Sequence, residues 1–260
     1  ILAGIDSIVK YAANEGMHPI QIVFFRNLFG LVALLPLFFR SNIGDLRTDR
    51  IGFHFVRGCI HSAGMTSWFI ALTLIPLADA TAVSFTIPIY ASIGAILFMG
   101  EPSRRHRWIA IGLGLVGMLM MLRPGLSEVS PGALLVVGSA VFAATSKLMM
   151  KSLSRTDGPV TIVFFMSLTI TVVSFIPSIF FWKWPPMMIW FWLMLLGTGG
   201  SLAHVLQTYS YKMGEVTAVE PVSYFRLIWA AIFGLILFQE FPHFWTWAGT
   251  AIIITGALLL

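Results

Sequence analysis

An arginine in the middle of an apolar run needs a physical reason. Arg226 lies about nine residues into the run 218–239, about 13 Å deep at helical rise and beyond easy snorkelling reach. A charge at that depth costs at least about 2.5 to 3.5 kcal/mol on insertion scales, so it faces a cavity or a partner. Its guanidinium is permanently charged, and its planar fork suits a carboxylate. Two readings stand: Arg226 lines a ligand path, or an ion pair from another helix holds it. Arg26, nearer the end of its own run, fits either a ligand-facing or a snorkelling side chain.

Two further stretches carry polar stripes. His54, Arg57, His61, Gly64 and Trp68 recur at helical spacing and share one face. A second run places Gly197, Gly200, His204 and Gln207 at positions equivalent to His61, Gly64, Trp68 and Ala71. Two such stripes would form two walls of one cavity; the alternative is close helix packing at the glycines. Arg57 falls near the start of its run, where a membrane-interface position is expected. Tyr90 and Trp229 occupy equivalent places near Pro88 and Pro221. There, a proline loosens one backbone bond, and the aromatic rings could flank a flat or apolar ligand.

The remaining intramembrane charges have plainer readings. Asp6 and Lys10 stand four apart with the acid first, the favourable order for a pair within one helix. The alternative is that Asp6 titrates during a functional cycle. Glu220 shares a face with Tyr224, not Arg226, so it does not neutralise Arg226 within the helix. Glu101 and Glu240 precede the fifth and tenth runs, where a carboxylate can accept bonds from unpaired helix N–H groups. Gly112-Leu113-Gly114-Leu115-Val116-Gly117 matches a dinucleotide-binding pattern but follows no strand, so it reads as helix packing.

These side chains are carried by membrane helices. The chain is 58% hydrophobic and 10% charged, whereas a soluble domain carries about 25% charged residues. Apolar runs of about 20 residues match the length a helix needs to cross the hydrocarbon core, and the alternating ten-residue strands of a barrel are absent. The expected spans are 1–14, 19–39, 53–75, 80–99, 108–122, 131–150, 160–182, 187–210, 218–239 and 247–260. Turn chemistry marks several connections, including Asp157-Gly158-Pro159 and Pro185-Pro186. Lone Cys59 rules out an intrachain disulfide.

If successive spans alternate direction, one side holds Arg40, Arg47, Arg50, Arg104, Arg105, Arg107, Lys151, Arg155 and Lys212, and the other only Arg123 and Lys183. This bias places the basic loops and both ends in the cytoplasm.

The chain also repeats itself. Pro19 with Ile22-Val23-Phe24-Phe25 recurs as Pro159 with Ile162-Val163-Phe164-Phe165; Thr81-Ala82-Val83 recurs as Thr217-Ala218-Val219; Glu101, Trp108 and Gly117 recur as Glu240, Trp247 and Gly256. Five spans separate equivalent points, an odd number, so the second half runs upside down relative to the first, as in many secondary transporters. The expected architecture is an all-α membrane protein of ten helices in two inverted five-helix repeats, 1–130 and 131–260. Lys10 lies nearer the start of its span than its counterpart Lys151 does, so the first helix is expected to begin upstream.

Phe25-Arg26-Asn27, Arg57-Gly58, Pro76-Leu77-Ala78-Asp79-Ala80-Thr81, Gly100-Glu101-Pro102, Arg123-Pro124-Gly125 and Glu240 stand in an order that resembles the EamA branch of the drug/metabolite transporter superfamily. That resemblance implies alternating access through a central cavity in a bacterial inner membrane. The family's members are similar to amino-acid exporters, and the excess of basic over acidic residues within the spans points to amino acids or related carboxylate-bearing or zwitterionic compounds. The alternative that the resemblance implies is S-adenosylmethionine, riboflavin or another nucleoside-like metabolite.

No Walker-type phosphate loop occurs, so neither ATP-driven pumping nor a cofactor is expected. The basic residues sit in loops and form no nucleic-acid stripe. An intramembrane lipid-modifying enzyme would need a nucleophile and base or a metal cluster, and no HExxH accompanies His54 and His61. A channel would call for rings of like residues, which two unlike halves do not supply. The expected partners are a small-molecule substrate and the bilayer. Arg226, Arg26, His61, His204, Gln207, Trp68, Tyr90 and Trp229 are the expected substrate-binding residues.

Overall fold

The computed structural model describes residues 1–40, 48–99, 105–122, 130–213 and 225–258. Among them every regular element is a helix: α1 Leu2–Asn14, α2 Pro19–Arg40, α3 Ile51–Leu74, α4 Leu77–Ser84, α5 Ile87–Met99, α6 Arg105–Leu122, α7 Pro131–Leu153, α8 Pro159–Ile179, α9 Met187–Met213, α10 Phe225–Phe238 and α11 Phe244–Ala257. Five stretches are long and apolar enough to cross a membrane: Pro19–Pro36, Leu77–Phe98, Pro131–Leu153, Pro159–Ile179 and Met187–Ser210. Trp108–Leu122 and Arg226–Phe238 are shorter apolar helices. Glu101, Arg123-Pro124-Gly125, Glu215, Thr217-Ala218-Val219, Glu220, Pro221 and Tyr224 lie outside the described residues.

The fourth span is broken, where the sequence suggests one helix. Phe85 and Thr86 donate backward to Ala82 and Val83, closing three-residue turns. Pro88 has no N–H to continue α4. A new helix starts instead, with Ile89 donating to Thr86 O at 3.0 Å, and proline is tolerated in its first turn.

Helix pairing follows the repeat. α2 packs on its equivalent α8, and α6 on its equivalent α11. The contact of α3 with α7 is matched by α1 with α9, α2 with α9 by α3 with α8, and α5 with α7 by α1 with α10. Exchanging the halves therefore maps these contacts onto one another.

Glycines set the closest crossings. A Cβ on Gly197 would lie 2.8 Å from both Arg26 O and Gly30 N, so α9 and α2 meet backbone to backbone. A Cβ on Gly117 would lie 2.7 Å from Gly249 O, which joins α6 to α11 the same way. This bears out the packing reading at Gly117, since lipid gives no hydrophobic drive for helices to associate and close contact must supply it. Large apolar side chains face outward, among them Phe98 and Phe180, each more than 80% exposed. Such a surface belongs against lipid.

Candidate functional site

A cavity of about 510 Å³ lies between the halves, lined from α1, α2, α3, the α4–α5 break, α7, α9 and α10. Its lining on α1, α3, α7 and α9 comes from Leu2–Asp6, Arg57–Phe69, Ser139–Met150 and Ala203–Gln207. These segments lie toward the end of the bundle that carries the basic loops. At the opposite end Val9, Ala12, Leu72, Leu77 and Ala80 are buried in one apolar cluster. That size suits a small organic ligand.

Arg226, His204, Gln207, Trp68, Trp229, His61 and Arg26 all line the cavity. Tyr90 is outside the lining; its hydroxyl instead donates to Met118 Sδ on α6 at 3.4 Å. The break before α5 is the reason, because it presents Phe85, Ile87 and Pro88 to the cavity in place of Tyr90.

One wall is built around Asp6, which is 3% exposed. Arg226 donates to Asp6 Oδ2 from Nη2 at 2.6 Å and from Nε at 3.1 Å. Trp68 Nε1 donates to Asp6 Oδ1 at 2.9 Å, and its ring lies under the Arg226 guanidinium at 5.1 Å. The i,i+4 pair of Asp6 with Lys10 is therefore not formed. Lys10 turns away to an ion pair with Glu240 and a 2.9 Å bond to Ile75 O. Long-range partners on α10 and just before α11 satisfy each charge better than an exposed pair on one helix would, because both side chains are buried.

The other wall is cationic. Arg57 is 3% exposed and donates to Ser146 O, Ile162 O and Met166 Sδ. His61 Nδ1 is 3.1 Å from Ser146 Oγ, and its ring meets that of His204 edge-on at 5.4 Å. Lys147 also lines this wall. The sequence reading missed it, although the rule for charges inside apolar runs would have singled it out. Along α9 the stripe serves two purposes. Gly197 packs on α2 and Gly200 lies against the Arg26 side chain, whereas His204 and Gln207 face the cavity.

Glu240 joins the halves at the opposite end. Its Oε2 accepts the Leu77 N–H at 2.9 Å, capping α4, while its Oε1 meets Lys10. The acceptor role expected for this glutamate holds, but for a helix of the other half rather than its own. At the basic-loop end, Asp157 accepts from His54 at 2.6 Å and from Thr48 at 2.9 Å, tying α3 to the α7–α8 connection. Burial alone would push the Asp157 carboxyl up; bonds from His54, Thr48 and Thr156 outweigh it and hold it below the usual range.

The EamA-like transporter family matches this sequence twice, over residues 1–123 and 130–260. The chain belongs to the EamA-like transporter family. The two matches fall on the two repeats seen in the helix pairing. The S-adenosylmethionine uptake transporter of Rickettsia felis is 31% identical over 98% of this chain and 86% of its own length. The riboflavin transporter of Vibrio cholerae is 29% identical over 98% and 87%. The pseudopaline exporter of Pseudomonas aeruginosa is 27% identical over 98% and 90%. This EamA-family chain is thus a multi-pass membrane protein whose relatives are metabolite transporters.

Proposed function

We propose that this protein is an alternating-access carrier of a nucleoside-like or similarly ring-bearing polar metabolite. The observation that carries the reading is the cavity between two repeated halves, lined by Trp68, Trp229 and buried cationic side chains and packed shut at one end. Rings of a substrate would lie against the two indoles, and its polar groups would meet the charged walls. Relatives that carry S-adenosylmethionine and riboflavin support this substrate class over free amino acids. Arg226, held by Asp6, orients Trp68 rather than offering an open fork.

Its two functional units are 1–130 and 131–260. The basic loops and both ends face the cytoplasm of a bacterial inner membrane, from the charge bias. An impermeant thiol reagent applied to cells, with Cys59 replaced and a cysteine placed at 103, should leave that loop unlabelled.

Transport is tested in proteoliposomes with labelled S-adenosylmethionine and riboflavin. A carrier saturates and accelerates label uptake when unlabelled substrate is inside. Linear, non-saturating flux, or chemical change of the probe, would sink the carrier reading.

A further inference from the structure

Arg26 is a buried cation of this cavity whose donors are left largely unused. It is 6% exposed and lines the cavity from α2. Among the described residues it forms no ion pair. Nη1 makes two contacts at 3.3 Å, a long one to Asn27 Oδ1 and one to the weak acceptor Met65 Sδ. Nε has no hydrogen-bond partner among them. A thioether is a weak acceptor, and a guanidinium has five N–H donors to satisfy. Asp6 is the acidic residue of the lining, and its two oxygens are already taken by Trp68 and Arg226.

The surroundings keep this cation in place and add to its field. Gly200 leaves room for it: a Cβ there would sit 2.9 Å from Nη2 and 3.0 Å from Nε. Arg57 and Arg226 line the same cavity, so among the described lining residues the arginines outnumber the one acid, Asp6. A buried cation that no carboxylate bonds carries an uncompensated desolvation cost. A ligand that supplies the missing negative charge recovers that cost on binding.

We infer that Arg26 is the seat for a carboxylate or phosphate group on the transported molecule, and that this group is what the cavity selects. The inference deepens the proposed function and rests on it for the rest of the ligand. An arginine fork meeting such a group makes two charge-assisted bonds, and discrimination of about 10- to 100-fold against a ligand lacking it is the expected scale.

The test uses the full chain in lipid nanodiscs, with thermal stabilisation as the binding readout. The probes are S-adenosylmethionine, its decarboxylated form, citrate and inorganic phosphate. The wild type should bind S-adenosylmethionine about 10- to 100-fold more tightly than the decarboxylated form. Arg26→Gln should erase that preference, and Arg26→Lys, which keeps the charge but loses the fork, should reduce it. The lysine variant serves alone if the glutamine variant does not fold. Equal binding of the two nucleoside probes by the wild type, or an unchanged preference in the variants, overturns the inference. Stabilisation by citrate or phosphate alone, lost in Arg26→Gln, keeps the anion seat and sinks the nucleoside-like reading. Absence of any stabilisation of the wild type by all four probes overturns both.

Discussion

Arg226 directs two donors, Nη2 and Nε, at the same oxygen of Asp6, while Trp68 holds the other oxygen. Removing the acid strands a guanidinium that is 20% exposed. Asp6→Asn should therefore cost about 3 kcal/mol, the usual cost of halving a buried pair, and Asp6→Asn with Arg226→Gln should recover part of it. Melting of the purified variants measures both. A double variant less stable than either single one would show that the pair is not a unit.

Gln239 has φ +56°, a left-handed conformation, directly after α10. Gln239 N bonds back to Leu235 O at 3.2 Å, and Glu240 N to Gly234 O at 3.0 Å, closing the helix in a left-handed terminus that lacks its usual glycine. The equivalent position in the first repeat is Gly100. Gln239→Gly should stabilise the protein by about 0.5 to 1 kcal/mol. A lower melting temperature for that variant would refute the strain argument.

Asp157 predicts an acid dependence. Its folded carboxyl lies below its ordinary value, so the stability it contributes is full above the unfolded value, about 3.9, and is lost as pH falls through the folded value. The melting-temperature gap between wild type and Asp157→Asn should stay level from about pH 7 to 5 and shrink below about pH 4. A gap that closes already near neutrality would assign the effect to another group.

The glycine-rich run in α6 separates two kinds of glycine. A Cβ at Gly112 meets nothing within 4 Å, whereas at Gly117 it meets Gly249 O and Ile253 Cγ1, both at 2.7 Å. Gly112→Ala should be neutral or stabilising by up to about 1 kcal/mol. Gly117→Ala should cost about 1 to 3 kcal/mol, because a backbone atom cannot step aside. Equal melting temperatures for the two variants would remove the packing argument.

Apolar run length and the recurrence of motifs made the helical spans and the repeat legible, because lipid imposes both on the sequence directly. Seven of the eight expected site residues reached the cavity for the same reason: polar side chains inside apolar runs have few places to go. Tyr90 failed because equivalence between repeats does not fix which way a side chain turns after a helix break. Asp6 and Lys10 failed because spacing on one helix reports only local partners, and each found a better one more than 200 residues away. Arg57 lines the cavity although it falls near the start of its run, because spacing does not report which helices close over a side chain.

The ion pairs of α1 also set an order in time. Asp6 waits 220 residues for Arg226, and Lys10 waits longer for Glu240. At about 5 to 20 residues per second of synthesis, both charges sit in the newly inserted helix for roughly ten seconds or more before either partner is made. The folded protein then makes two bonds that staple α1 to α10 and to the segment before α11.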